Sequence, residues 1–329
     1  MDCPSGRKGG AGVAEKEVFR IFAGTVKEIL GKAQIDTEEL QEVRMRTGSP
    51  LFLKYRGCEW TVDRNGDLWE DWKKGYRVQK EELQETLEYL SGYSMYAFDE
   101  DMKQGYLTIP GGHRVGLAGK IVTENGKVQC IRYISFLNIR LSHEIRGCAE
   151  KVLPYVTANG QVCHTLIISP PGAGKTTLLR DLVRLISDGN PWLAGQNVGV
   201  ADERSELGGA YLGVPQNDLG MRTDLLDGCP KGLGMMMLLR SMSPQVIAVD
   251  EIGSEADSEA LESVFYCGCK LLATVHGNTL EDVKKKPLIR RLIRQRMFER
   301  YIILGYGRGP GTVVQILDEQ ERILFCEAA

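Results

Sequence analysis

Ser169 to Thr177 reads Ser-Pro-Pro-Gly-Ala-Gly-Lys-Thr-Thr, set between the apolar run Thr165-Leu166-Ile167-Ile168 and the helical pattern Leu178-Leu179-Arg180-Asp181-Leu182. A loop this poor in side chains turns successive backbone N–H groups toward the β- and γ-phosphates of a nucleoside triphosphate, and the start of the helix adds positive potential. Pro170, Pro171, Gly172, Ala173, Gly174, Lys175, Thr176 and Thr177 are then the nucleotide-binding positions, with Lys175 supplying a cation and Thr176 a hydroxyl for Mg²⁺. Ser169 stands where the pattern G-x-x-x-x-G-K-[ST] begins with glycine, and serine tolerates positive φ less well.

Further along, Gln245-Val246-Ile247-Ala248-Val249-Asp250-Glu251 is an apolar run ending in two carboxylates. A buried strand can hold Asp250 at its tip to reach Mg²⁺, while Glu251 orients a hydrolytic water. Between these segments, Val198-Gly199-Val200-Ala201 delivers Asp202-Glu203-Arg204-Ser205-Glu206, so Glu203 competes with Glu251 for the role of general base. Leu271-Leu272-Ala273-Thr274-Val275 ends at His276-Gly277, which places His276 at another strand tip, where it can report the γ-phosphate or couple subunits. Phosphoryl transfer also benefits from an arginine that neutralises charge in the transition state. Arg204, Arg222 and Arg240 are the candidates, and the sequence does not choose among them.

These groups need elements to hold them. The 329 residues contain no apolar run of membrane-spanning length and carry a net charge of −3, which gives no global reason to expect nucleic acid. The nine cysteines, without any C-x-x-C, are expected to be reduced thiols. Residues 1–14 read as a disordered leader without the apolar core of a signal peptide. An amphipathic helix is expected through Val18, Phe19, Phe22, Val26, Ile29 and Leu30. Short strands follow over 42–46, 51–53 and 59–62, with a hairpin signal at Asn65-Gly66 and a helix over 81–90. Strands over 106–109, 113–122 and 128–134 are separated by turns at Pro110-Gly111-Gly112 and Asn125-Gly126. A connecting helix is expected over 144–156, after which apolar strands alternate with helical patterns as in a mostly parallel sheet. Met235-Met236-Met237 reads as helix core, and Lys284 to Arg300 as a strongly basic amphipathic helix. Closing strands are expected over 301–304, 312–317 and 322–325. The fold class is α/β, with a P-loop NTPase domain over 151–329 preceded by a smaller α+β domain over 15–150.

The whole pattern resembles the stage III sporulation protein AA family of endospore-forming bacteria, related to the traffic ATPases of type II and type IV secretion. In the N-terminal half the resemblance rests on Glu42-Val43-Arg44-Met45-Arg46, on Tyr93-Ser94-Met95-Tyr96-Ala97 and on the run from Gly105 to Gly116. In the C-terminal half it rests on the segment 202–206, Arg222-Thr223-Asp224, Arg240-Ser241-Met242-Ser243-Pro244, Asp250-Glu251-Ile252-Gly253 and Thr274-Val275-His276-Gly277. The resemblance implies a RecA-like domain that hydrolyses ATP with Mg²⁺, a homo-oligomer built as a hexameric ring, and a place in the mother-cell cytoplasm. The ring would be held at the membrane by contacts with channel proteins and would energise a transenvelope complex. The segment 202–206 would be the acidic box of the traffic ATPases and His276 their histidine box, while Arg114 and Arg140 are N-domain candidates for reaching nucleotide. Two other readings stay open: a RecA-like nucleic-acid motor using the basic 284–300 segment, although nucleic acid is not the expected partner, and a nucleotide-gated scaffold without turnover.

Overall fold

A computed structural model describes residues 17–22, 24–92, 102–191, 193–307 and 309–327. The leader and the segment 93–97 lie outside these residues. The chain forms two compact units, Met1–His143 and Glu144–Ala329.

The first unit is built on one antiparallel sheet. Its strands are β1 (Leu40–Arg46), β2 (Phe52–Tyr55), β3 (Cys58–Val62), β4 (Leu68–Trp69), β5 (Tyr106–Ile109), β6 (His113–Glu124) and β7 (Lys127–Arg140), in the order β4-β3-β2-β1-β7-β6-β5. Alternation along β1 buries Val43 and Met45 and leaves Glu42, Arg44 and Arg46 half-exposed on the other face. Helices α1 (Gly24–Lys32) and α2 (Lys80–Leu90) pack on each other, and α2 packs on β7, burying Val26, Ile29, Leu30, Leu83 and Leu87. The turn Asn125-Gly126 has φ of 50° and 75°, the mirror-image turn that matches strand twist.

Two local expectations change here. The single helix expected through Leu30 is a 3₁₀ helix over Glu17–Ile21 followed by α1, which begins at Gly24 with φ of 53°. Strand β7 continues to Arg140 because its pairing with β6 passes through an irregularity, with Tyr133 at φ of 50°. Gly119 lies opposite, where a Cβ would meet the Arg132 carbonyl oxygen at 2.7 Å.

The second unit opens with the small hairpin β8 (Thr157–Ala158) and β9 (Gln161–Val162). Then come β10 (Thr165–Ser169), α3 (Lys175–Asp188), β11 (Val198–Asp202), β12 (Thr223–Asp227), α4 (Lys231–Ser241), β13 (Val246–Val249), α5 (Ser258–Tyr266) and β14 (Lys270–His276). The chain closes with α6 (Leu280–Lys284), α7 (Pro287–Arg294), β15 (Arg300–Gly305), β16 (Thr312–Asp318) and β17 (Ile323–Cys326). The sheet order is β12-β11-β13-β14-β10-β15-β16-β17, parallel from β12 to β15 and antiparallel beyond. Residues of β10, β11 and β13 are buried throughout, because helices cover both sheet faces: α3 packs on one core, α4 to α7 on the other.

The connecting helix expected over 144–156 does not form. Gly147 takes φ of 80° and Pro154 lacks an N–H, so the segment runs as turns with one 3₁₀ turn at Leu153–Tyr155. The basic segment is likewise two short helices, α6 and α7, with Pro287 opening the second and Arg296 at φ of 51° beyond its end. Met235 is core, but Met237 is 45% exposed, so the methionine triplet spans both sides of α4. Among the described residues seven cysteines are free thiols while Cys58 is disulfide-bonded; an odd count without C-x-x-C argues against a framework, not against a single bond. Among the described residues no helix is long and apolar enough to cross a membrane.

Candidate active site

Parallel strands bring their C-terminal ends to one edge of the sheet, and the sequence motifs meet there. Ser169 is the last residue of β10, fully buried, and is not among the residues with positive φ. Glycine is therefore not required at its position, and its hydroxyl donates to the Pro170 carbonyl at 2.8 Å. The left-handed positions are Gly172, φ 70°, and Gly174, φ 89°, the N-cap of α3. Pro170 and Ala173 are buried, Pro171 and Gly172 exposed, and Thr177 half-buried on the first turn of α3. The loop leans on the turn between β15 and β16: Gly311 N–H donates to the Ala173 carbonyl at 2.9 Å and the Tyr306 hydroxyl to the Pro171 carbonyl. A Cβ on Gly174 would come within 3.0 Å of the Gly311 nitrogen.

Asp250 follows the last residue of β13. Its Oδ2 accepts from the Thr176 hydroxyl at 2.6 Å, and its Oδ1 accepts from the hydroxyl of Thr274 on β14. Glu251 comes next, with φ of 62° and its N–H donated to the Thr274 hydroxyl oxygen at 2.8 Å. Its carboxylate lies 3.8 Å from Lys175 Nζ and 3.3 Å from Arg204, so one acid faces the loop cation and the exposed arginine together. Glu203 is engaged elsewhere, by Lys231 at the start of α4. Asp202 serves the fold: it is buried and accepts the N–H groups of Glu206, Leu207 and Gly208. Burial pushes its carboxyl above the usual range against the pull of those bonds. Arg180 on α3 donates to the Leu207 and Glu206 carbonyls at 2.8 and 2.6 Å; burial draws its guanidinium down from the ordinary arginine value, and nearby carboxylates oppose that shift.

His276 ends β14 half-buried, opposite Ser169 in the parallel register, and its carbonyl accepts from Lys286 Nζ at 2.7 Å. Two arginine candidates lie away from this edge. Arg222 precedes β12 and donates to the Ser187 carbonyl at 3.0 Å, capping the C-terminal end of α3, where the helix dipole favours a cation. Arg240 is exposed in the last turn of α4, roughly 13 Å along the axis from Lys231. In the first unit, Arg114 and Arg140 are register partners on β6 and β7; Arg114 stacks over Tyr106 at 3.6 Å, and Arg140 lies 3.6 Å from Glu42.

The structure thus gathers Lys175, Thr176, Asp250, Glu251 and Arg204, with His276 on the same edge. The sequence assigns no role to Lys231, Arg180 or Tyr306, and it offers Thr274 only as part of the motif that ends at Gly277. Apart from that motif, the crowding of glycines from Gly305 to Gly311 is a signal near Tyr306.

This architecture is the RecA-like fold found in solved ATPases. The chain is similar in fold to the ATPase DotB of Legionella pneumophila, with a TM-score of 0.57 and 13% identity, covering 89% of this chain and 80% of that one. It is also similar to the pilus retraction motor PilT solved with ADP, with a TM-score of 0.53 and 13% identity over 81% and 74% of the two chains. The family model described as Sporulation stage III, protein AA matches residues 13–324, and the chain belongs to that family. Stage III sporulation protein AA of Bacillus subtilis (strain 168) is 44% identical over 286 residues, 87% of this chain and 89% of that protein.

Proposed function

We propose that the second unit is a Mg²⁺-dependent ATP hydrolase of the traffic-ATPase type, working as a ring, with six copies the expected number, docked to membrane channel proteins during endospore formation. The observation that carries this reading is the convergence of four groups from distant segments: Thr176 on Asp250 at 2.6 Å and Lys175 facing Glu251 at 3.8 Å. A hydroxyl and a carboxylate are hard oxygen donors of the kind Mg²⁺ prefers, so Thr176 and Asp250 fit as its protein contacts. Bound there, the ion neutralises charge spread over the phosphate oxygens.

The loop N–H groups and Lys175 bind and orient the β- and γ-phosphates. Glu251 accepts a hydrogen bond from the attacking water and aligns it with the γ-phosphorus; Glu203, occupied by Lys231, is the lesser candidate. Its 3.3 Å approach to Glu251 supports Arg204 as the arginine that acts within its own subunit, whereas Arg222 and Arg240 would act only on a neighbouring copy. His276, beside the loop through its pairing with Ser169, is suited to report phosphate occupancy across the sheet.

The test is turnover of the full chain against its Lys175→Ala variant. Hydrolysis should fall by at least about 10³-fold with the circular dichroism spectrum unchanged. Undiminished turnover in the variant would remove this site from the reaction. Specific activity should also rise steeply with protein concentration if neighbouring copies complete the site.

A further inference from the structure

We propose that Thr274 is the positioning residue of this site: one buried hydroxyl aims Asp250 and fixes the backbone from which Glu251 projects. The proposal rests on the reading of the second unit as an ATP hydrolase.

A hydroxyl has one proton to give and lone pairs to receive. At Thr274, which is fully buried, the proton goes to Asp250 Oδ1 and a lone pair takes the Glu251 N–H at 2.8 Å. The main-chain carbonyl of the same residue accepts the Ile252 N–H at 2.8 Å. One residue of β14 therefore holds three consecutive residues leaving β13. Strand pairing alone does not do this, since the register of β13 with β14 ends at Val249 and Ala273.

Two features show that the grip bears on chemistry. Glu251 sits at φ of 62°, a region that costs a residue with a side chain free energy and persists only where neighbours determine it. The Thr274 hydroxyl is such a neighbour, so it governs the direction of the Glu251 carboxylate. Thr274 also occupies Oδ1 of Asp250, which leaves Oδ2 to Thr176. Through its pairing with Ile167, the same residue ties this arrangement to the strand that carries the phosphate loop. A threonine that merely filled space would satisfy its hydroxyl on a nearby carbonyl, as Thr165 does on Cys163.

The test compares Thr274→Val, which keeps the shape and removes the hydroxyl, with Thr274→Ser, which keeps the hydroxyl. In steady-state ATPase assays of the full chain, Thr274→Val should lower kcat on the order of 10²-fold while KM for ATP stays within about threefold. Thr274→Ser should remain within about threefold of the parent on both. The ratio of ATP affinities with and without Mg²⁺, read with a fluorescent ATP analogue, should fall in Thr274→Val and not in Thr274→Ser. Unchanged kcat in Thr274→Val overturns the proposal, as does a serine variant no better than the valine one. Equal loss of Mg²⁺-free binding and kcat in Thr274→Val also overturns it, because that is the mark of a structural role. If the parent protein binds ATP without hydrolysing it, the hydrolase reading falls by itself, and the Mg²⁺ ratio still decides Thr274. A parent that does not bind ATP ends both.

Discussion

Each unit is built on one large sheet with buried strands, yet among the described residues only that of the second gathers reactive groups at an edge. In the first, neighbours in the sheet run in opposite directions, so the ends of adjacent strands leave at opposite edges. In the second, β12, β11, β13, β14, β10 and β15 run the same way, and Asp202, Asp250, His276 and Ser169 arrive together although scores of residues separate them in the chain. Strand direction decides whether a sheet can collect chemistry at an edge or only present it on a face. The face of the first unit illustrates the alternative, with Arg114, Arg140 and Glu42 side by side in one cross-strand row.

The sharpest way to break this comparison is within the edge itself. Glu251→Gln should reduce kcat by about 10³-fold, whereas Glu203→Gln should cost no more than about tenfold, since its carboxylate is bound to Lys231. A larger loss in Glu203→Gln than in Glu251→Gln in single-turnover assays would move the base to the acidic segment, and equal losses would remove the ranking. Next in size is an acid response that both units share. His113 accepts the Ser142 N–H and His164 the Leu271 N–H; burial holds each imidazole's pKa down to about 4, with a smaller electrostatic contribution from His143 for the first and from Lys270 for the second. The unfolded chain takes up those protons near pH 6.5, so stability is full above that value and is lost as pH falls toward 4. For the well-buried His113 the loss is on the order of 3 kcal/mol at pH 4. Calorimetry from pH 7 to 4 should show both units losing stability, and His113→Gln should flatten the profile of the first alone. The smallest test uses two left-handed glycines. Gly126→Ala, at a hairpin tip with open space around the new methyl, should cost about 1 kcal/mol and leave turnover intact. Gly174→Ala, crowded against Gly311, should in addition weaken ATP binding by more than about tenfold.

How much of this was legible in the sequence follows the same division. Hairpins announce themselves locally, so Asn125-Gly126 and the strands around it could be read directly, while the irregularity at Tyr133 hid six further residues of β7. The phosphate loop and the Asp250 strand were legible because each is a contiguous pattern of apolar and reactive residues. Thr274 was not, because a threonine inside an apolar run carries no mark of the partner 24 residues away that gives its hydroxyl a purpose. The helix expected over 144–156 fails for a plainer reason: Gly147 at φ of 80° and Pro154 without an N–H interrupt it. Arg222 could be recognised as a candidate but not located, since only the fold reveals that it caps α3 at the far edge.

The turn at Gly309-Pro310-Gly311 extends the reach of the phosphate site to the end of the chain. Because it braces Ala173, the loop's shape depends on a hairpin more than a hundred residues after Lys175. Cut short after His276, the chain would keep Lys175, Asp250 and His276 but lose the Gly311 N–H that the Ala173 carbonyl accepts, so every contiguous motif would survive without the brace that shapes the loop between them.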